Sequence, residues 1–180
     1  CGTFVDHMEI KILSHDPQNV PGEIVTRGMN VMTGYYKNPK ATKAVIDEEG
    51  WFHTGDLGTM SEDGHVFIKG RIKNMLLGSN GQNVYPEEIE DKLNAMAMVN
   101  ESLIIQHGEE LVGLVYPDMD EAQSMGFSEA DLNNIMEQNR KELNAQLPSF
   151  CKISRIKLHP DEFEKTPKKS IKRYLYKNAY

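Results

Sequence analysis

Four short segments of this 180-residue chain combine residue types at spacings that could do chemistry. In Thr54-Gly55-Asp56 a carboxylate follows a glycine. An ionised carboxylate accepts two hydrogen bonds, and charge-assisted bonds are the stronger kind. The ordinary alternative for Asp56 is a turn cap beside Gly55. Arg71 carries a planar fork of donors suited to oxyanions, although most arginines end in surface ion pairs worth little. Gly78-Ser79-Asn80-Gly81 is a loop whose glycines let backbone approach a thin ligand closely, and it reads equally as a plain hairpin loop. Lys165-Thr166-Pro167-Lys168-Lys169-Ser170-Ile171-Lys172-Arg173 offers cations that could stabilise developing negative charge, while charge runs are more often solvated tails.

Other classes of function are disfavoured. Acidic residues outnumber basic ones 27 to 20, for a net charge of −7. Nucleic-acid binding wants a basic face. Only Cys1 and Cys151 are present, and the six histidines are scattered. A disulfide framework and a structural zinc site are therefore not expected, and a reducing cytoplasm is the default location. No P-loop, GxGxxG or catalytic-triad spacing occurs. No apolar run approaches the roughly 20 residues that span a bilayer. The chain opens Cys-Gly-Thr-Phe-Val, which reads as an internal cut in a longer protein.

The elements that must position these residues follow from periodicity. Residues 8–12 alternate apolar and polar as a half-buried strand does, and 23–28 read as a second strand. A helix is expected over 39–48, with Pro39 in its first turn. Residues 51–57 and 65–70 read as strands joined through the Asp63-Gly64 hairpin signal. Tyr35, Tyr36, Trp51 and Phe52 are expected in the core of this small barrel or sheet. Past Arg71, Pro86-Glu87-Glu88 starts a helix whose face is Ile89, Leu93 and Met96. Residues 99–106 and 110–116 read as a strand pair. Ser128, with Asp131 three residues on, caps an amphipathic helix reaching Gln146. Residues 151–159 form a last strand before a basic tail. The class is α+β.

The segments also occur in a telling order: Gly22-Glu23-Ile24-Val25; Gly34-Tyr35-Tyr36-Lys37-Asn38-Pro39 with Thr42; Gly50-Trp51-Phe52-His53-Thr54-Gly55-Asp56-Leu57-Gly58; Asp63-Gly64-His65; Gly70-Arg71-Ile72-Lys73-Asn74; Gly81-Gln82-Asn83-Val84-Tyr85-Pro86-Glu87-Glu88-Ile89-Glu90. This succession resembles the adenylate-forming superfamily of acyl-CoA synthetases, aryl and acetyl-CoA ligases, peptide-synthetase adenylation domains and beetle luciferases. Within it, Lys73-Asn74-Met75-Leu76-Leu77-Gly78 looks most like bacterial long-chain fatty acid–CoA ligases. The resemblance implies that 1–71 is the β-rich end of a large N-terminal adenylation domain and 72–180 a mobile C-terminal lid.

It further implies a ligase that joins a fatty acid to ATP and passes the acyl group to CoA. Mg²⁺ would be held mainly by the triphosphate and upstream residues, so no metal ligand is assigned here. Asp56 would accept the ribose hydroxyls of the adenylate, and Arg71 would help hold it. Lys73 would be the hinge, and Gly78, Ser79, Asn80 and Gly81 would line the pantetheine tunnel. The family's closing Lys-Thr-x-x-Gly-Lys departs here: strict alignment puts Lys169 at the glycine and Ser170 at the catalytic lysine. Lys169 could serve by a one-residue shift of the loop, Lys172 could reach in instead, or the protein adenylates poorly. The alternative from another class is a non-catalytic nucleotide- or acyl-CoA-binding module. The resemblance leaves oligomeric state and peripheral membrane contact open.

Overall fold

The computed structural model describes residues 2–78 and 80–177. The chain divides into two compact units, Cys1–Asn74 and Met75–Tyr180.

In the first unit, strands β1 (Met8–Leu13), β2 (Gly22–Gly28), β3 (Phe52–Met60) and β4 (Val66–Arg71) pair antiparallel in chain order. β1 and β4 are the two ends of this sheet, so it is an open meander and not a barrel. Its buried apolar residues are Ile12, Ile24, Val25 and Leu57, with Trp51 just ahead of β3. Two cations approach the Trp51 ring, with Lys11 Nζ 4.0 Å and Arg27 Cζ 4.6 Å from ring centroids. Contacts of this kind contribute roughly 0.5–1 kcal/mol each near a surface. Tyr35 and Tyr36 depart from the expected core: they are 47% and 87% exposed.

Helix α1 (Pro39–Lys43) is also shorter than the expected 39–48. Asn38 caps its start through Ala41 N–H. It stops because the β-branched pair beyond it turns to strand-like pairing: Val45 C=O accepts from His53 N–H at 2.8 Å, and Ile46 bridges Phe52. The Asp47 carboxylate then accepts from Glu49 and Trp51 N–H, which fixes the turn into β3.

The second unit opens with β5 (Leu76–Leu77) and β6 (Asn83–Val84), a two-residue ladder, and helix α2 (Pro86–Asn94). β7 (Val99–His107) and β8 (Glu110–Pro117) form the expected hairpin. Helix α3 (Met119–Met125) was not foreseen, although its signals are present: Asp118 caps it, and Gly126, at φ 69°, ends it in the left-handed conformation glycine favours. Helix α4 (Glu129–Ala145) begins in a reciprocal capping box between Ser128 and Asp131. Strand β9 (Ile153–Leu158) joins β8 in parallel, giving the sheet order β7-β8-β9.

Both faces of this sheet are covered. Ile104, Leu111, Val115 and Ile153 pack with Ile89 and Leu93 of α2 and Leu132, Met136 and Leu143 of α4. On the other face Leu103, Ile105, Val112 and Leu114 pack with Phe163 and Tyr176 of the C-terminal segment. Burial on both sides explains why the middle of β7 (103–105) and most of β8 (111–115) carry consecutive buried residues instead of alternating ones. It also overturns the solvated-tail alternative for the basic end of the chain, since Phe163 and Tyr176 are 3% and 9% exposed.

Candidate functional site

Asp56 and Arg71 are direct cross-strand partners in the β3–β4 register. Paired residues on antiparallel strands project to the same side of the sheet, and here Arg71 Nε donates to Asp56 Oδ1 at 2.9 Å. The Asp56 side chain is 34% exposed and that of Arg71 49%, so a ligand can reach both. The turn that presents Asp56 is held from behind. Thr54 Oγ1 donates to Ile24 C=O and accepts from Asp56 N–H, while Arg71 Nη1 donates to Thr54 C=O. Gly55 sits at φ 72°, a conformation that strains any side chain.

Sequence reasoning gave no role to Glu23, which lies under this turn. Its carboxylate accepts from Gly55 N–H at 3.1 Å and bonds His53 Nδ1 at 2.8 Å. That bond to Glu23 raises the His53 pKa above the usual imidazole range, with Asp47 adding to the effect. The Gly22-Glu23 pair at the start of a strand was visible in the sequence, but the partner of Glu23 thirty residues on was not.

Lys73 lies exposed in a single tight turn, Ile72–Asn74, at the end of the first unit. Gly78, Asn80 and Gly81 form the loop joining β5 to β6, and Ser79 lies outside the described residues. Two backbone bonds close within it: Gly78 N–H donates to Gln82 C=O and Gly81 N–H to Gly78 C=O, both at 2.8 Å.

The 165–173 segment is a hairpin. Lys165 bridges Ile171, and Thr166 N–H donates to Ser170 C=O at 2.8 Å. Lys169 N–H donates to Thr166 C=O, and Lys169 takes φ 61°. This is the three-residue hairpin loop in which the last position is left-handed and normally glycine. Pro167 suits the first loop position. Lys169 stands at the last position of this loop, ahead of the return strand.

The cations of the run have separate fates. Lys165 pairs with Glu101, and Lys172 Nζ lies 3.0 Å from Glu164 Oε2. Those bonds hold both lysines above the usual lysine range. Lys168 and Lys169 are exposed, and neither side chain has an ion-pair partner among the described residues. Arg173 reaches Glu90 on α2 with two guanidinium nitrogens. Glu90 was also missed, yet it shares the i, i+3, i+4, i+7 stripe of Pro86, Ile89 and Leu93. An acid on a buried stripe signals a partner.

Among the described residues no group of three or more His, Cys, Asp or Glu side chains could hold a metal ion. No helix among them is long and apolar enough to cross a membrane.

Residues 73–180 match the family described as AMP-binding enzyme C-terminal domain. The chain is 32% identical over 178 residues to 4-coumarate–CoA ligase 1 of Oryza sativa subsp. japonica, covering 96% of this chain and 30% of that protein. It is 42% identical over 114 residues to a 3-[(3aS,4S,7aS)-7a-methyl-1,5-dioxo-octahydro-1H-inden-4-yl]propanoyl:CoA ligase of Rhodococcus jostii RHA1, covering 63% of this chain and 21% of that one. Among solved structures, ATP-bound MatB from Rhodopseudomonas palustris superposes with a TM-score of 0.74 at 26% identity, over 99% of this chain and 35% of that one. The chain spans less than a third of the length of the curated relatives it matches.

Proposed function

This chain belongs to the AMP-binding enzyme C-terminal domain family, and from that premise we propose that it is the C-terminal part of an AMP-forming carboxylate–CoA ligase. The full protein activates a carboxylic acid with ATP as an acyl-adenylate and then passes the acyl group to CoA. The observation that carries this reading is the Asp56–Arg71 pair, held side by side on β3 and β4 with both side chains open to a ligand. A carboxylate beside a guanidinium offers an acceptor for ribose hydroxyls and donors for ribose and phosphate oxygens.

In this reading Arg71 fixes the Asp56 rotamer while the Glu23–Gly55 bond fixes the turn beneath it. Lys169 supplies the cation that meets the carboxylate and α-phosphate during adenylation. Lys165 and Lys172 are already engaged by Glu101 and Glu164, which supports Lys169 over Lys172 for that task. Lys73 absorbs the backbone rotation between the two half-reactions. Gly78, Ser79, Asn80 and Gly81 line the path of the pantetheine arm. Mg²⁺ is held in this proposal mainly by the triphosphate and by residues upstream of this chain, and no residue here is assigned to it.

Two acyl classes have support. The Lys73–Gly78 stretch favours a long-chain fatty acid. The names of the relatives, 4-coumarate and a bicyclic propanoate, favour a ring-bearing acid. ATP–pyrophosphate exchange by the full-length protein, run with fatty acids of graded length and with 4-coumarate, decides both points. Exchange with none of them sinks the ligase reading and leaves a binding module. Lys169→Ala should abolish exchange while sparing thioester formation from supplied acyl-adenylate. In that reading the Lys169→Gly/Ser170→Lys double variant, which restores the family's closing pattern, recovers exchange.

A further inference from the structure

The hairpin that carries Lys169 is bolted to the second unit's core at its base. Arg173 follows its return strand and reaches α2 with its guanidinium. Its Nη1 donates to Glu90 Oε1 at 2.8 Å, its Nη2 donates to Glu90 Oε2, and Glu87 Oε1 stands 3.8 Å from Nη2. Glu90 is 7% exposed, and its Oε1 also accepts Ile104 N–H from β7 at 2.6 Å. Glu90 thus joins helix, sheet and hairpin. On the other strand, Lys165 pairs with Glu101 of β7, and Glu164 N–H donates to the Tyr176 hydroxyl at 2.8 Å. The Tyr176 ring packs edge-on to Phe163, centroids 5.1 Å apart. A buried acid on an otherwise apolar stripe is costly to keep. A hydrophobic residue at position 90 would cover the sheet as well, so a cost borne at this place suggests a return elsewhere.

We propose that the Glu90–Arg173 pair is a positioning device for adenylation: it holds the hairpin base so that Lys169, at the loop, meets the reacting phosphate in one geometry. The inference rests on the reading of Lys169 given above. Glu90 and Arg173 touch no substrate and act through the hairpin. Displacing a reacting group by about 1 Å can cost on the order of a hundredfold in rate. The second half-reaction does not use Lys169, so loosening the base should leave it intact.

The test uses the full-length protein and its best acid from the panel, with each half-reaction measured separately. Glu90→Gln and Arg173→Lys should lower kcat for pyrophosphate exchange by about 10–100-fold. CoA-thioester formation from supplied acyl-adenylate should change by less than about threefold. Tyr176→Phe keeps the ring and removes only the hydroxyl at the hairpin base. It should give a smaller split in the same sense, and it carries the test where Glu90→Gln does not fold. A purely structural pair would lower both half-reactions together or neither, and either result in folded variants overturns the proposal. Lys169→Ala separates the two failures. If it leaves exchange unchanged, the assignment of the cation is wrong. If it abolishes exchange while the anchor variants do nothing, only the positioning role falls.

Discussion

Replacing Lys169 by glycine should make the second unit more stable while removing activity. Lys169 holds φ 61° in a hairpin loop closed by its own N–H and by Thr166 N–H. A left-handed conformation costs a non-glycine residue roughly 1–2 kcal/mol. Glycine removes that strain but gives back roughly 0.5–1 kcal/mol through the greater freedom of the unfolded chain. The Lys169 side chain is exposed and has no ion-pair partner among the described residues, so little else is lost. The net gain is about 0.5–1 kcal/mol, or roughly 2–5 °C in Tm for a unit of about a hundred residues. Calorimetry of the whole chain, tracking the transition of the second unit, reads it directly. Lys169→Ala keeps the strain and should give no comparable rise. A fall in Tm for Lys169→Gly, or an equal rise for both variants, would refute the reasoning. A strained residue that stability alone would replace is a mark of use. Glycine at 169 with serine at 170 should therefore be the stable, silent form.

Asp56→Ala in the full-length protein should raise the KM for ATP by roughly 10–100-fold, the loss expected for hydrogen bonds to a charged group; unchanged nucleotide affinity would remove Asp56 from the site. Burial pushes the Glu90 carboxyl from 4.5 up to about 7, against the pull of Arg173. Folding therefore favours the protonated form, and the stability this group contributes is full below about pH 4.5 and lost as pH rises through about 7. Urea midpoints of the wild-type chain minus those of Glu90→Gln should accordingly fall between pH 5 and pH 8, by an amount equivalent to about 2–4 kcal/mol; a flat difference would deny the shift. Leu143 is 0% exposed between α4 and the sheet, and Leu143→Ala should destabilise the second unit by about 2–5 kcal/mol in the same denaturation experiment.

Local signals carried most of the elements. The Ser128–Asp131 capping box, the Pro86 start and the Asp63-Gly64 turn need only neighbours in sequence, and each stands where its residues put it. Where contacts between distant residues compete, local reading failed. Val45 and Ile46 extend a helical pattern on paper but pair with Phe52 and His53 in space. The basic tail reads as solvated, yet Phe163 and Tyr176 close a sheet face made sixty residues earlier.

The residue types and their order alone determined the α+β class, the resemblance to adenylate-forming enzymes and the anomaly of Ser170 where a lysine is usual, because each depends only on succession along the chain. Tertiary structure decided which charges are engaged. Lys165, Lys172 and Arg173 look interchangeable with Lys169 in a run of cations. Glu101, Glu164 and Glu90 claim the first three, and hairpin closure leaves Lys169 exposed in a left-handed turn. Electrostatic pairing falls off with distance in space, and only the fold sets that distance.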